Sequence, residues 1–315
     1  MARRRDAWFS GLEQGVAKRG VALMGVCNVT PDSFSDGGAF FTRESACARI
    51  DALVAEGADL IDVGGESTRP GAPAIPAREQ IARVIDVVRY AATKAPVSID
   101  TQDPEVARAC LDAGASAVND VSCLRDERLA RAVADAGAAY VLMHARATQT
   151  EMRGFSTYPD DAYGDVVADV AREWAQAAAR ARTQGVAASA IAMDPGLGFA
   201  KNARHSAQIL RRIGELARAV SAPVVVGASR KSFLTLVDAG APPSERIGAS
   251  IAAAAFAAER GAKVLRVHDV RATRQAIDVL GLLRDGPAGA ARASVQIQPS
   301  GAEGDRVFQR GPADA

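Results

Sequence analysis

Polar side chains recur at the ends of short apolar runs along this chain of 315 residues, and their types could bind rings, anions or a metal. The side chains at these ends are Asn28, Asp62, Asp100, Asn119, His144, Asp194, Arg266 and His268. A buried carboxylate can accept two N–H donors at once, and an arginine with a histidine two residues away can hold an anion. Strands buried on both faces tolerate polar side chains only where they emerge, so we expect these residues to converge on one active site.

The apolar runs themselves predict eight β-strands, each followed by a loop or a helix. They are Val21–Asn28, Leu60–Asp62, Val97–Asp100, Ala117–Asn119, Tyr140–His144, Ala190–Asp194, Val224–Ser229 and Val264–His268. The regular alternation without a break in composition favours an α/β fold, a single-domain (β/α)8 TIM barrel over residues 19–284. Residues 1–18 are predicted to be a flexible extension apart from packing by Trp8 and Phe9. Residues 285–315 are predicted to be a disordered tail, since large apolar residues are few there.

A short repeat supports the barrel. Four predicted helices end in a glycine followed by alanine and lead directly into a strand, at Ala55–Ala58, Asp112–Ala115, Asp135–Ala138 and Glu259–Ala262. Glycine at such a position can adopt the left-handed conformation that closes a helix. Long helices are predicted over Tyr163–Gln184 and Ser244–Arg260, and an N-cap at Asp103. The loops Thr30–Phe41 and Glu66–Ala77 exceed the usual length for such connections, and we expect them to fold over the site.

Composition excludes several classes of partner. The net charge is +1, so the surface as a whole is not built for nucleic acid or an anionic membrane. The sequence has no apolar stretch of membrane-spanning length, and its basic start lacks the apolar region of a signal peptide. The four cysteines show no CxxC spacing. These features predict reduced thiols and a cytoplasmic protein.

Eight sequence blocks carry a family resemblance. They read MGVCNVTPDSFSDGG from Met24, IDVGGESTRPG from Ile61, VSIDT from Val97, VNDVS from Val118, LMH from Leu142, MDPGLGFAKN from Met193, GASRKS from Gly227 and RVHDV from Arg266. In this order they closely resemble the dihydropteroate synthases of folate biosynthesis, over roughly Val21 to Leu282. The resemblance implies that the chain joins p-aminobenzoate to 6-hydroxymethyl-7,8-dihydropterin pyrophosphate, with Mg2+, and releases pyrophosphate and dihydropteroate.

The resemblance also assigns a pterin site. Asp194 matches the carboxylate that accepts two ring N–H groups, and Asn119 offers a donor and an acceptor to the same ring. Asp100 matches the acid whose charge favours a cation at the methylene carbon as pyrophosphate departs. Lys231 matches the lysine between the two substrate pockets, and Met143 is expected to pack on the ring. A helix-capping role for Asp194 and Asp100 is the alternative, and the two roles could coexist.

The pyrophosphate and metal assignments follow from the same resemblance. Arg266 and His268 match the pair that holds pyrophosphate, with further contacts from Thr68 and Arg69. Asn28 matches the one direct protein ligand of Mg2+, whose other ligands are phosphate oxygens and waters. Asp100, Lys231, Arg266 and His268 are the predicted catalytic residues. His144 is predicted either to be structural or to support the site without touching a substrate, and His205 to lie at the surface.

The p-aminobenzoate slot is assigned to Phe34, Pro70 and Phe199, with Ser232 holding the carboxylate at a helix N-terminus. Two departures from the family pattern lie at the site face. Ala200 stands where the family usually has glycine, and Ala145–Ala147 replaces a usual Met–Gln–Gly or Met–Arg–Gly. No residue assigned to the pterin, the metal or pyrophosphate is missing.

Two other functions remain open from the sequence. One is a non-catalytic paralogue that keeps the pterin pocket, and the other a pterin-dependent methyltransferase of related barrels. The residues Asn28, Thr68 and Arg69 argue against the first, and the SRKS and TPDSF blocks argue against the second. The resemblance further implies a homodimer and sensitivity to sulfonamides, which mimic p-aminobenzoate.

Overall fold

Eight parallel strands form the centre of the molecule, as the apolar runs predicted. The structure is a computed structural model that describes residues 4–30, 42–67, 75–147 and 158–286. The strands are β1 Ala22–Asn28, β2 Leu60–Gly64, β3 Val97–Asp100, β4 Ala117–Asp120, β5 Ala139–Met143, β6 Ile191–Asp194, β7 Val225–Val226 and β8 Val264–Val267. Their order in the sheet is β6-β5-β4-β3-β2-β1-β8-β7. A parallel bridge between Met193 and Val224 brings β6 and β7 together and closes the barrel.

Helices surround the barrel within the described ranges. They are α1 Arg4–Arg19, α2 Arg43–Glu56, α3 Ala77–Ala92, α4 Pro104–Asp112, α5 Glu127–Ala136, α6 Val166–Thr183, α7 Ala203–Arg211, α8 Ile213–Ala219, α9 Ile247–Glu259 and α10 Val270–Asp285. Asp103 caps α4 as predicted, because its Oδ1 accepts from the main-chain N of Glu105 at 2.7 Å. The four glycines of the Gly-Ala repeat all have positive φ, from 61° at Gly137 to 118° at Gly114, which confirms their role in closing helices.

The strand β7 is shorter than the predicted run Val224–Ser229. Pro223 has no N–H to donate before the strand, and the chain leaves the ladder at Gly227. The predicted helix Ser244–Arg260 likewise begins later. Pro243–Glu245 forms a 3₁₀ turn, and the α-helix starts at Ile247. The predicted helix Tyr163–Gln184 begins at Val166, where Asp165 caps it.

The N-terminal segment is helical from Arg4, so the expectation of a flexible extension is wrong for the described part. Trp8 is fully buried and, with Leu12, packs on small residues inside the barrel at the N-terminal ends of the strands. Gly15 allows the close approach, because a Cβ there would lie 2.6 Å from the Cα of Ala22. Arg19 forms an ion pair with Asp59, which fixes the end of α1. The helix thus closes the end of the barrel away from the predicted site.

No helix in the described parts of the chain has the length and apolar character needed to cross a bilayer. Most of the two long loops, and the predicted tail beyond Gly286, lie outside the described residues. Predictions about their order therefore stay predictions.

Candidate active site

An arginine between two carboxylates forms the centre of the site. Nε of Arg266 donates to Oδ2 of Asp62 at 2.7 Å, and Nη2 donates to Oδ2 of Asp100 at 2.8 Å. The three residues come from β8, β2 and β3, whose side chains here point into the barrel. Burial raises the pKa of Asp100 to about 7, and Arg266 opposes part of that rise. The charges of the two acids raise the pKa of Arg266, so the guanidinium is a fixed cation.

Asp100 keeps one oxygen for another partner. Its Oδ1 is buried and accepts no hydrogen bond from the described residues. A buried carboxylate oxygen without a donor is costly, so this atom is suited to an N–H group of a ligand. Asp103, rather than Asp100, caps the following helix. The capping alternative is therefore excluded for Asp100.

Asp62 orients Asn119. The Nδ2 of Asn119 donates to Oδ2 of Asp62 at 3.1 Å, while Oγ of Ser98 donates to Oδ1 at 2.5 Å. Because a carboxylate only accepts, the amide nitrogen of Asn119 must face it. The amide oxygen then points away from Asp62. It is therefore free of that carboxylate and can accept a hydrogen bond from a ligand.

Asp194 lies at the end of β6, and its two carboxylate oxygens have different surroundings. Its Oδ1 accepts from the main-chain N of Gly196 at 2.7 Å, which closes a local turn. The helix-capping alternative is wrong for Asp194, because Asn202 caps the next helix, α7. Its Oδ2 lies near Gly227, where a Cβ would come within 3.9 Å of it. Burial raises its pKa, and Lys231 opposes the rise. Oδ2 remains the oxygen that faces the space between β6 and β7.

Lys231 borders the same space. Its Nζ donates to the main-chain oxygen of Leu197 at 2.5 Å and lies 4.6 Å from the centre of the Phe199 ring. Burial lowers its pKa to about 8. Phe199 packs with Met143 and Ala145 in a small apolar cluster. Phe199 is assigned to p-aminobenzoate and Met143 to the pterin, so residues assigned to the two substrates are in contact. The placement of Lys231 between two substrate pockets stays a prediction.

Ser232 does not start an α-helix. Ser232 is the first residue of a 3₁₀ helix, Ser232–Leu236, so its predicted place at the start of a helix is confirmed, although the helix is short and not an α-helix. The hydroxyl and the N–H of Ser232 remain next to Lys231 in the chain. The prediction that they hold a carboxylate is not tested by the structure.

A cavity of about 450 Å3 opens at the ends of β1 and β8. Asn28 and His268 border it, together with three arginines and two acids: Arg49, Arg230, Arg271, Glu56 and Asp269. Arg230 donates from Nε to Asp269 at 3.0 Å, and Arg49 pairs with Glu56 at 3.8 Å. The lining therefore has one more arginine than acid. Nδ1 of His268 lies 3.0 Å from Oγ of Ser229, and burial lowers the pKa of His268 to about 3. The imidazole is therefore neutral here and acts as a hydrogen-bonding group. Arg266 lies deeper, paired with its two acids.

Asn28 fits a magnesium ion that arrives with its phosphate. The described residues contain no cluster of three or more His, Cys, Asp or Glu side chains placed to hold a metal by themselves. A single amide oxygen suits Mg2+, which keeps several waters and binds substrate phosphates. Phe34, Thr68, Arg69 and Pro70 lie outside the described residues, and their assigned roles stay predictions.

Two buried charges have no predicted role in the site. Asp62 is one of the predicted strand ends, and Lys201 lies within the block MDPGLGFAKN. Lys201 is 1% exposed, and its Nζ lies 2.9 Å from Nδ1 of His144. His144 is buried and structural in its contacts, as predicted. His205 is also buried, with Nε2 3.1 Å from the main-chain oxygen of Asp160, so its predicted surface position is wrong.

Comparison with known proteins agrees with this geometry. The family described as pterin binding enzyme matches residues 24–268. The dihydropteroate synthase of Mycobacterium leprae is 45% identical over 275 residues, which cover 85% of this chain and 95% of the relative. That of Escherichia coli K12 is 40% identical over 261 residues, covering 82% of this chain and 90% of the relative.

Solved structures give the same result. Dihydropteroate synthase of Xanthomonas albilineans, solved with 4-aminobenzoic acid, superposes with a TM-score of 0.75 at 42% identity over 84% of this chain and 93% of its own. The Burkholderia cenocepacia enzyme in complex with 7,8-dihydropteroate superposes with a TM-score of 0.75 at 41% identity, over 87% and 93%.

The parallel barrel carries buried carboxylates at the carboxyl ends of its strands, and the family match covers the barrel from β1 to β8. The chain therefore belongs to the pterin-binding enzyme family. Within that family it belongs with the dihydropteroate synthases, which are transferases of folate biosynthesis.

Proposed function

We propose that this protein condenses 6-hydroxymethyl-7,8-dihydropterin pyrophosphate with p-aminobenzoate to form 7,8-dihydropteroate and pyrophosphate. The observation that carries the proposal is the unsatisfied, buried Oδ1 of Asp100 beside Arg266. It provides negative charge where the pterin ring and its methylene carbon are expected. Relatives solved with 4-aminobenzoic acid and with 7,8-dihydropteroate share the fold at about two-fifths identity.

The proposed mechanism is dissociative. Asp194 and Asn119 hold the pterin edge, and the ionised Asp100 stabilises positive charge as the C–O bond to pyrophosphate breaks. Among the described residues, the buried acids here are Asp62, Asp100, Asp120 and Asp194, and the cations among them are Arg266, Lys231 and Lys201. With Asp100 ionised the acids exceed the cations by one, so the floor of the site then favours a cation. The neutral arylamine then attacks the methylene carbon and loses its proton afterwards. No general base is required.

Departing pyrophosphate is proposed to leave through the cavity of about 450 Å3. His268 can donate from Nε2, since Nδ1 faces the hydroxyl of Ser229. Mg2+, held by Asn28, would neutralise phosphate charge there. Thr68 and Arg69 are assigned to the same anion. In an assay, removal of Mg2+ with a chelator is expected to abolish turnover, and Asn28→Ala to raise the Mg2+ concentration needed for half-maximal rate.

The p-aminobenzoate slot is proposed to lie beside Phe199 and Lys231, completed by Phe34, Pro70 and Ser232. Sulfonamides are expected to compete with p-aminobenzoate for it. A synthase of Yersinia pestis solved with a sulfonamide drug shares this fold at 35% identity. Turnover that is unchanged at saturating sulfamethoxazole would contradict this part of the proposal.

We also propose a homodimer and a cytoplasmic location. The outer face of α10 exposes Val279, Leu282 and Leu283, the last at 76%. Apolar side chains so exposed are typical of a surface that another chain covers. All four cysteines are free thiols, which supports a reducing compartment. Sedimentation of the wild type against Leu283→Glu tests the dimer, and equal mass for both at micromolar concentration would contradict this surface.

The direct test of the function is product identity. Purified protein is incubated with both substrates and Mg2+, and dihydropteroate is measured by chromatography and mass spectrometry. Asp194→Asn is expected to lose most pterin affinity, because it replaces an acceptor that can take two donors with one that presents a donor. Tight pterin binding without dihydropteroate in the wild type would contradict the proposal.

A further inference from the structure

Lys201 is a lysine almost wholly removed from water, and all of its donors are used. Its Nζ lies 2.9 Å from Nδ1 of His144 and donates to the main-chain oxygens of Phe199 at 3.0 Å and of His144 at 3.3 Å. Burial lowers the pKa of Lys201 to about 7. In its protonated form the ammonium group has three N–H donors, and these three acceptors satisfy it. A buried charge persists only where such partners hold it well. The contacts therefore tie the segment after β6 to the end of β5.

His144 is itself held from the far side. Because Nδ1 faces Lys201, Nε2 carries the proton and donates to Oε2 of Glu173 at 3.0 Å. Glu173, on α6, is fixed by Nε and Nη2 of Arg146 at 2.9 and 2.6 Å. Burial and the charge of Lys201 lower the pKa of His144 to about 4, which keeps the ring neutral. The imidazole is thus a fixed acceptor for Lys201.

The segment held in this way carries Phe199. Leu197 and Phe199, two residues apart, give their main-chain oxygens to two different lysines, Lys231 and Lys201. The Phe199 ring packs on Met143 and lies beside Lys231. A close approach supports the same arrangement: a Cβ on Gly196 would lie 2.1 Å from the oxygen of His144. The backbone after β6 therefore rests directly on the end of β5.

We propose that Lys201 is a positioning residue for p-aminobenzoate: through the carbonyl of Phe199 and the ring of His144, it holds the Phe199 side chain as one wall of the slot. The inference rests on the proposed function for the identity of the substrate. Lys201 touches no substrate in this account. It maintains Phe199 whether Lys231 is bonded to Leu197 or to a bound pterin.

The test is Lys201→Met in the full chain, which keeps length and removes the donors. We expect the KM for p-aminobenzoate to rise about tenfold, because the wall of its slot moves. The Kd of the pterin pyrophosphate changes little, since Asp194 and Asn119 are intact. Amide exchange of Gly198 and Phe199, measured by hydrogen–deuterium exchange, speeds up. A folded variant with unchanged KM and exchange, or with equal weakening for both substrates, would overturn the proposal.

A second pair of variants covers failure of Lys201→Met to fold. His144→Leu removes the Nδ1 acceptor, whereas His144→Asn keeps an acceptor near that position and loses only the contact with Glu173. We expect faster exchange at residues 196–199 and a higher KM for p-aminobenzoate in the leucine variant alone. Equal behaviour of the two variants would contradict the role of Lys201. Amide exchange can be measured without turnover. A wild type that makes no dihydropteroate would therefore contradict the proposed function, while the exchange measurement would still decide whether Lys201 holds residues 196–199.

Discussion

Arg266 and Asp62 lie 204 positions apart in the chain, yet Nε of the arginine donates to Oδ2 of the acid at 2.7 Å inside the barrel. The pair forms because β8 and β2 both flank β1. Asp62 is fully buried and also accepts from Ser98 and Asn119. One carboxylate therefore sets the position of the site's central cation and the orientation of its amide.

Asp62→Asn is expected to lower kcat/KM by about a hundredfold, because a displacement of the order of 1 Å among aligned groups costs that much. The new amide would turn a donor towards Asn119 or Arg266. Steady-state kinetics with both substrates measures the effect. Ser98→Ala is the matched control, since it removes only the donor to Oδ1, and it is expected to cost less than about tenfold. Wild-type kinetics in Asp62→Asn would show that the pairing has no part in catalysis.

The pH profile of kcat/KM is expected to be bell-shaped. The pKa of Asp100 is about 7, so lowering the pH through that value protonates the carboxylate and removes the charge that favours the cation. The pKa of Lys231 is about 8, so raising the pH through that value discharges the lysine. The rate should therefore fall on both sides of this narrow window. Lys231→Arg should keep the acid limb and lose the alkaline limb, and an acid limb that persists in Asp100→Asn would assign it to another group.

Ala200→Gly is expected to stabilise the protein. Ala200 has φ of 48°, a left-handed conformation that costs alanine about 1 to 2 kcal/mol and glycine little. The larger entropy of glycine in the unfolded chain offsets about half of this. We expect a gain of about 0.5 to 1 kcal/mol in the free energy of unfolding, measured in urea. Ala252→Gly, at an exposed position inside α9, should instead lose about 1 kcal/mol. Destabilisation by both variants would show that Ala200 is not strained.

Trp8→Ala tests the helix that closes the far end of the barrel. The indole is fully buried, so its loss is expected to cost about 3 to 5 kcal/mol of unfolding free energy. KM values should stay near those of the wild type at a temperature where the variant is folded, because α1 lies at the opposite end from the site. Phe9→Ala is the control, since Phe9 is only partly buried and should cost less. A cost below about 1 kcal/mol for Trp8→Ala would contradict the packing role.

The sequence was sufficient for the barrel and for the residues at its strand ends. Buried strands tolerate polar side chains only at their emerging ends, and this rule identified Asp100, Asn119 and Asp194 without a structure. It could not identify the role of Asp62, because the partners of this carboxylate depend on which strands become neighbours when the sheet closes. Lys201 was missed because a lysine is ordinarily exposed, and its burial follows from His144, 57 positions away.

Local backbone geometry could be predicted from the sequence only in part. Glycines before strands correctly predicted helix ends, since positive φ has a simple sequence signal. The 3₁₀ turn at Ser232 has none. The helix α1 carries apolar residues at helical spacing, Trp8, Leu12 and Val16, but its close packing on the strands also needs the small residues Gly11 and Gly15. These elements are set by tertiary contacts.

The central claim is that Asp100, Arg266 and Lys231 serve one reaction that releases pyrophosphate and joins the two substrates. The most direct measurement is pyrophosphate release from purified protein with the dihydropterin pyrophosphate and Mg2+, with and without p-aminobenzoate, alongside dihydropteroate formation. We predict equal amounts of both products in the wild type with p-aminobenzoate, and a loss of both in Asp100→Asn, Lys231→Ala and Arg266→Ala. Turnover that is unchanged in these variants, or pyrophosphate release with no dihydropteroate when p-aminobenzoate is present, would contradict it.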